Sequence, residues 1–373
     1  MGLKDAREAR RRRRKRELAE TGFWPGLCSR IDEGRLIPFI GESVAIDMLF
    51  DIDEDGILGV SANRGYDQDN AHLTIREQLA QSYAYWSDCP LAENHRLARV
   101  ALFNSVVNKV DKLAAKQEYI NWLKGELLFQ AEEDPDVDPD TIAELQEELD
   151  KPLSYIAGRL GYPQPVDNRR DSLDLLAKLR LPIYITTDYF DFLEQALIAN
   201  RVTPRTQVCF WNGSPSTYED ETHRTDHQAR PSADSPIVYH LFGYEAYPGS
   251  LVLTEDDYLD FLAKLAADAG QKEPVLPHYL RERLTLSSLV LLGYRPGDWD
   301  FRVMFRGLIA AASNIEMLNL AIQFDPAQEP AAVSGEEIRK YLQNYFKPVF
   351  EVEWDTAHGF AGKLYDAWDE RRR

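Results

Sequence analysis

Leu181-Pro182-Ile183-Tyr184-Ile185-Thr186-Thr187-Asp188-Tyr189-Phe190-Asp191-Phe192-Leu193-Glu194 reads as a strand, a polar turn and a helix. Pro182 opens a run of β-branched and aromatic residues suited to a buried strand. Thr186, Thr187 and Asp188 stop that run, and Phe190, Leu193, Ala196 and Leu197 follow at helical spacing. In an open α/β sheet, ligands lie at the carboxyl ends of strands, where such turns sit. The three polar residues are therefore candidate ligand contacts. The plainer alternative is that Thr187 or Asp188 caps the helix.

The same alternation recurs on both sides of this stretch. Leu36 to Ile40 reads as a short buried strand running into Gly41-Glu42-Ser43. A glycine there lets the backbone approach a ligand, and a helix leaving the turn gives a phosphate-holding geometry. One glycine is fewer than a dinucleotide fingerprint needs, and Glu42 facing inward would repel a phosphate. Further strands are expected at Arg205–Trp211, Pro236–Gly243, Ser288–Gly293, Leu318–Phe324 and Val349–Trp354. Helices are expected after Glu255, over Trp299–Ala312 and near Glu336–Phe346, with a closing helix at the end. Strands alternating with helices, several of them continuously apolar, predict a parallel sheet with helices on both faces.

Between the first two strands, Thr74 to Leu160 reads as wholly helical, with Asp140 capping a helix from Thr141 to Leu149. It is a helical insertion, assigned to residues 67–165, suited to covering the site or forming an assembly surface. Residues 44–66 are acidic and irregular and are read as a solvated loop, because the last glutamate of a calcium loop is missing. Asn212 to Ser235 is a long polar loop. The remaining divisions are a basic arm over 1–30, the main domain over 31–373, and a terminal helix–strand–helix over 331–373.

Composition narrows the function. The chain has 373 residues, 44% of them hydrophobic, with a formal charge of −19. That charge argues against general nucleic-acid binding. The arginine-rich stretch Arg7 to Arg16 is the exception: it suits nucleic acid, an anionic surface or an acidic face of a neighbouring subunit, and a solvated charged helix over residues 1–22 is the simpler reading. No apolar run is long enough to span a membrane, and no signal-peptide core follows the basic start, so a cytoplasmic protein is expected. Cys28, Cys89 and Cys209 lie far apart without metal-ligand spacing, so neither disulfides nor zinc are expected.

Taken in order, several segments resemble the sirtuin-like superfamily, in its bacterial branch that cleaves nicotinamide adenine dinucleotide (NAD+). They are Ile37–Gly41, Thr186–Tyr189 with Asp191-Phe192, Tyr239–Gly243, Ser250–Tyr258, Leu291–Tyr294 and Asp298–Asp300. The resemblance implies a Rossmann-like fold with a helical module, NAD+ as substrate or ligand and no zinc ribbon. It also implies a role in antiphage defence, with a homo-oligomer or a partner protein. It makes Gly41, Glu42, Ser43, Thr186, Thr187, Gly243, Gly293, Tyr294 and Arg295 candidate dinucleotide contacts. Asp188 stands where the family has asparagine, and Phe242 stands where it has histidine, with His240 two residues earlier on the same face of the strand.

Two functions follow. In the first, Asp188 stabilises the oxocarbenium-like transition state of NAD+ hydrolysis, His240 serves as a base near the ribose, and Arg295 pairs with the pyrophosphate. In the second, the changed positions leave a silent module that binds NAD+ or ADP-ribose or scaffolds a complex.

Overall fold

The computed structural model describes residues 22–50, 52–53, 56–57, 73–90, 92–109, 111–162, 171–212, 226, 230–267, 275–295, 298–304, 319–324, 336–337, 340, 344 and 350–373. The expected charged helix over 1–22 falls outside them apart from Gly22, as does most of the polar loop 212–235.

The chain runs α1 (Phe23–Asp32), β1 (Leu36–Ile40), α2 (Ser43–Leu49), β2 (Ile52–Asp53) and β3 (Gly56–Ile57). Next come α3 (Ile75–Trp86), α4 (Leu97–Val107), α5 (Lys112–Glu132), α6 (Pro139–Gln146), α7 (Leu153–Arg159) and α8 (Ser172–Lys178). Then follow β4 (Ile183–Thr186), α9 (Phe192–Ala199), β5 (Arg205–Val208), β6 (Ile237–His240), α10 (Glu255–Ala267) and α11 (His278–Leu286). β7 (Ser288–Leu292), α12 (Trp299–Met304), β8 (Asn319–Phe324), β9 (Phe350–Trp354) and α13 (Ala357–Arg372) complete the order.

Seven strands form one sheet in the order β5-β6-β4-β1-β7-β8-β9, and every pairing in it is parallel. The fold is α/β, as the alternation predicts. From β1 the chain builds outward through β4, then returns to the other side of β1 with β7. The β1/β7 boundary is thus the topological switch point, where open α/β sheets form their ligand crevice.

Successive side chains on a strand face opposite ways, and the core divides accordingly. Ile37, Phe39, Ile183, Ile185, Tyr239, Leu289 and Leu291 pack with α3 to α7, α10 and α11. Leu36, Ile40, Tyr184, Val238, Val290 and Leu292 pack with α1, α8, α9 and α13. Helices therefore cover both faces.

Local chemistry sets several boundaries. Thr74 caps α3 through a reciprocal box with Glu77. Asp138, not Asp140, caps α6, because Pro139 takes the first helical position. The expected loop over 44–66 is corrected at its start: α2 occupies Ser43–Leu49, and β2 and β3 pair antiparallel. Neither Thr187 nor Asp188 caps α9; its N-cap is Asp191.

The helical region is fastened to the sheet by buried lysines. Lys116 Nζ donates to the Leu251 carbonyl at 2.6 Å and lies 3.1 Å from Asp257. Lys124 Nζ donates to the Lys151 carbonyl at 2.6 Å and lies 3.2 Å from Glu245. Buried charges are tolerated only when satisfied in this way.

Gly243 has a φ of 94°, and a Cβ placed on it would stand 2.4 Å from the Ser250 carbonyl oxygen. Its freedom serves the protein's own backbone rather than a ligand. Gly243→Ala is predicted to destabilise the fold by about 2 kcal/mol or more, read as a lowered midpoint in urea unfolding.

Candidate functional site

The register brings the predicted turns to one edge. Ile40 pairs with Leu292 on one side and Thr186 on the other, and Thr186 pairs with His240. Gly41, Thr187 and Gly293, each one residue further, therefore lie side by side at the carboxyl ends of β1, β4 and β7. Thr187 Oγ1 and the Tyr294 hydroxyl meet at 3.1 Å, joining the β4 and β7 turns. Thr186 Oγ1 donates to the Ile40 carbonyl at 3.1 Å and accepts from the Asp188 N–H at 2.9 Å. Gly243 belongs to the next turn, packed on Ser250.

Over this edge lies the first turn of α3, which carries two oppositely charged neighbours. Arg76 Nη2 is 2.9 Å from Glu42 Oε2, and its Nη1 is 3.5 Å from Asp300 and 3.7 Å from Asp298. Glu77 pairs with Arg295 at 2.7 Å. Three carboxylates thus share one guanidinium. Burial and the neighbouring Asp300 push Asp298 up to about 6, and burial raises Asp300 as well. Against the cost of its own burial, Glu42, Asp300 and Asp298 hold Arg76 well above its ordinary value. Glu77 is likewise desolvated, yet the Thr74 N–H and Arg295 keep it below the ordinary carboxylate range.

Asp188 is buried beside this group. Its Oδ1 accepts from the Phe190 N–H at 3.2 Å, closing an Asx turn. Burial first, and Glu42 second, raise its carboxyl well above the ordinary 3.8, so the protonated form is favoured relative to an exposed acid. A protonated carboxyl offers a carbonyl and a hydroxyl donor, much as an asparagine offers a carbonyl and an amide.

His240 lies behind the edge with no exposed surface. Its Nδ1 meets the Asp188 carbonyl at 3.0 Å, and its Nε2 meets Glu194 Oε1 at 2.9 Å. The main-chain carbonyl can only accept, so Nδ1 donates to it. Burial opposes a charged ring, yet Glu194 outweighs that cost and raises its pKa above the ordinary value. Thr206 also donates to Glu194, at 2.7 Å. Phe242 meets Tyr258 and Phe261 edge to face, each at 5.4 Å between ring centroids.

Protein groups occupy the edge as folded. A Cβ on Gly41 would fall 2.4 Å from the Gly293 carbonyl oxygen, so the space a glycine leaves is already taken by backbone. Ser43 Oγ donates to that same oxygen at 2.7 Å. Glu42 lies in the turn, and Arg76 and Arg295 are both ion-paired. The uncharged polar groups that meet across the edge are Thr187 and Tyr294.

Arg76, Glu77 and Glu194 were not legible as site residues. The capping box from Thr74 to Glu77 marks the start of α3, but nothing in the sequence pairs that turn with residues beyond 290. Among the described residues, no group of three or more His, Cys, Asp or Glu is arranged to hold a metal. None of their helices is long and apolar enough to cross a membrane.

A family model for the SIR2-like domain matches residues 182–347, from the start of β4 onward. The match leaves out β1, with Gly41 and Glu42, and the helices α3 to α7. No curated protein matches the chain. A SIR2-like domain implies an NAD-related function and NAD binding.

The raised Asp188 pKa has a sign that can be checked. Its folded value exceeds its unfolded one, so its contribution to stability is full below about 3.8 and is lost as pH rises toward the folded value. Asp188→Asn keeps the bond to the Phe190 N–H and removes that loss. The variant is expected to melt higher than wild type at pH 7 by roughly a few degrees, with the margin shrinking toward zero near pH 4. Differential scanning calorimetry across that range reads it; an equal margin at both pH values contradicts the assignment.

Proposed function

We propose that the chain is a SIR2-like module that recognises NAD+ or ADP-ribose without cleaving it. The SIR2-like match and the convergence of the β1, β4 and β7 turns support the ligand class. One observation carries the loss of chemistry: His240, the nearest imidazole, has both ring nitrogens committed inside the protein. A base needs a free lone pair aimed at the proton it removes. The burial of Asp188, which raises its carboxyl pKa, and the aromatic packing of Phe242 support the same conclusion.

Hydrolysis of NAD+ to nicotinamide and ADP-ribose is the second reading. The position of Asp188 next to the Thr187–Tyr294 bridge favours it, because a cationic nicotinamide ring placed there would draw the proton from the acid. The antiphage role rests on the family resemblance alone. A homo-oligomer or protein partner is supported by exposed apolar side chains at the ends of α3, α4 and the start of α5: Tyr85, Trp86, Val106, Val107 and Leu113.

Chromatography of NAD+ incubated with the protein, beside calorimetric titration of NAD+ and ADP-ribose, separates the readings. Intact NAD+ with measurable binding heat is expected. Turnover that falls in Asp188→Ala would establish the hydrolase instead. Absence of both turnover and binding would leave a scaffold. Asp188→Asn with Phe242→His, which places the family residue types at both positions, is the gain-of-function control.

A further inference from the structure

Arg76 stands out because its partners come from separate parts of the chain and one of them is in the wrong place for a purely structural acid. Glu42 occupies the turn after β1, at the mouth of the β1/β7 crevice, and is buried. Turns in this position meet ligand anions in open α/β sheets. Here the anion at the turn is the protein's own carboxylate, and the guanidinium that neutralises it arrives from α3, outside the residues the family model matches.

We propose that Arg76 is the anion-binding residue of the crevice and that Glu42 occupies its guanidinium as an internal stand-in for a ligand phosphate. Binding then exchanges one charge-assisted contact for another: the Glu42 carboxylate, 2.9 Å from Arg76 Nη2, swings away and a phosphate oxygen takes its place. Guanidinium groups accept carboxylate and phosphate in the same two-pronged geometry. The second ion pair of α3, Glu77 with Arg295, holds the helix against the β7 turn meanwhile.

The surroundings of Arg76 fix how strongly the stand-in competes. Glu42 faces it from the β1 turn, and Asp298 and Asp300 face it from the segment after β7. Tyr258 of α10, Tyr119 of α5, and Tyr189 and Tyr294 of the β4 and β7 turns are the other ionisable groups near it. With three acids about one cation, a phosphate must compete with them for the guanidinium, and binding to the unaltered crevice is weakened. Removing the charge of Glu42 lowers that competition and frees one side of the guanidinium together.

The inference takes only the identity of the natural anion from the dinucleotide reading, so inorganic pyrophosphate serves as an independent probe. Calorimetry on the full chain should show Glu42→Gln binding pyrophosphate about tenfold more tightly than wild type, on the order of one displaced charge-assisted bond. Adding Arg76→Gln to that variant should abolish the gain. Circular dichroism melts of each variant confirm that the fold is retained. Equal affinity of wild type and Glu42→Gln, or a gain that survives Arg76→Gln, overturns the proposal. Tighter pyrophosphate binding by Glu42→Gln, with no NAD+ or ADP-ribose binding by any variant, supports the anion site and sinks the dinucleotide reading. Dinucleotide binding indifferent to both substitutions supports that reading and overturns the stand-in.

Discussion

The backbone contact between the β1 and β7 turns constrains everything at the candidate site. The Gly41 N–H donates to the Leu292 carbonyl at 2.8 Å, and the space beside its Cα is filled by the Gly293 carbonyl oxygen. Gly293 in turn has a φ of 73°, with Ser43 and Val44 against the place where a side chain would be. Each turn is thus shaped by the absence of a side chain in the other. The approach brings Glu42, Ser43, Tyr294 and the segment from Asp298 onward into one small volume. Two glycines that read in sequence as room for a ligand also make room for each other in the fold.

Charge is distributed with comparable economy. Lys116, Lys124 and Arg76 reach from the helical region to acids on the sheet side; the two lysines are buried and Arg76 is half-buried. Burying such pairs contributes little net stability, since desolvation consumes most of the attraction. What they contribute is a definite docking of α3 and α5, because a misplaced buried charge costs far more than a misplaced methyl group. Lys116 and Lys124 have carbonyl acceptors in addition to their acids. Arg76 differs: its surroundings hold more negative charge than it neutralises. An excess of that kind is costly to the fold, as the upward displacement of Asp298 and Asp300 shows.

The sheet was largely legible because its signals are local. Continuous apolar runs such as Ser288–Leu292 and Ile183–Thr186 give buried parallel strands, and the polar turn or glycine after each marks its end. Boundaries shifted where the pattern outlasts the pairing: Phe210 and Trp211 continue the apolar run of β5, yet β5 stops at Val208. The pairing of β2 with β3 was not legible, because two-residue strands have no periodicity to read. Among site residues, the edge positions Gly41, Thr187 and Gly293 followed from the strand ends. The roles of their neighbours did not. Glu194 looks like an ordinary first-turn helix acid, and only the fold sets it against His240, 46 residues away. Arg76 and Asp300 are 224 residues apart. Pairings at such separations are made by topology.

The change from asparagine to Asp188 is less drastic than it reads in sequence. In water the two side chains differ by a full charge. In a buried position next to Glu42 they draw closer, because desolvation and the neighbouring carboxylate favour the protonated carboxyl. A protonated carboxyl presents one acceptor and one donor, as an amide does. An amide is indifferent to a cation arriving beside it, whereas a buried acid gives up its proton more readily when a cation comes close enough to outweigh desolvation. His240 bears on the same turn: its two hydrogen bonds tie the Asp188 main-chain carbonyl to α9.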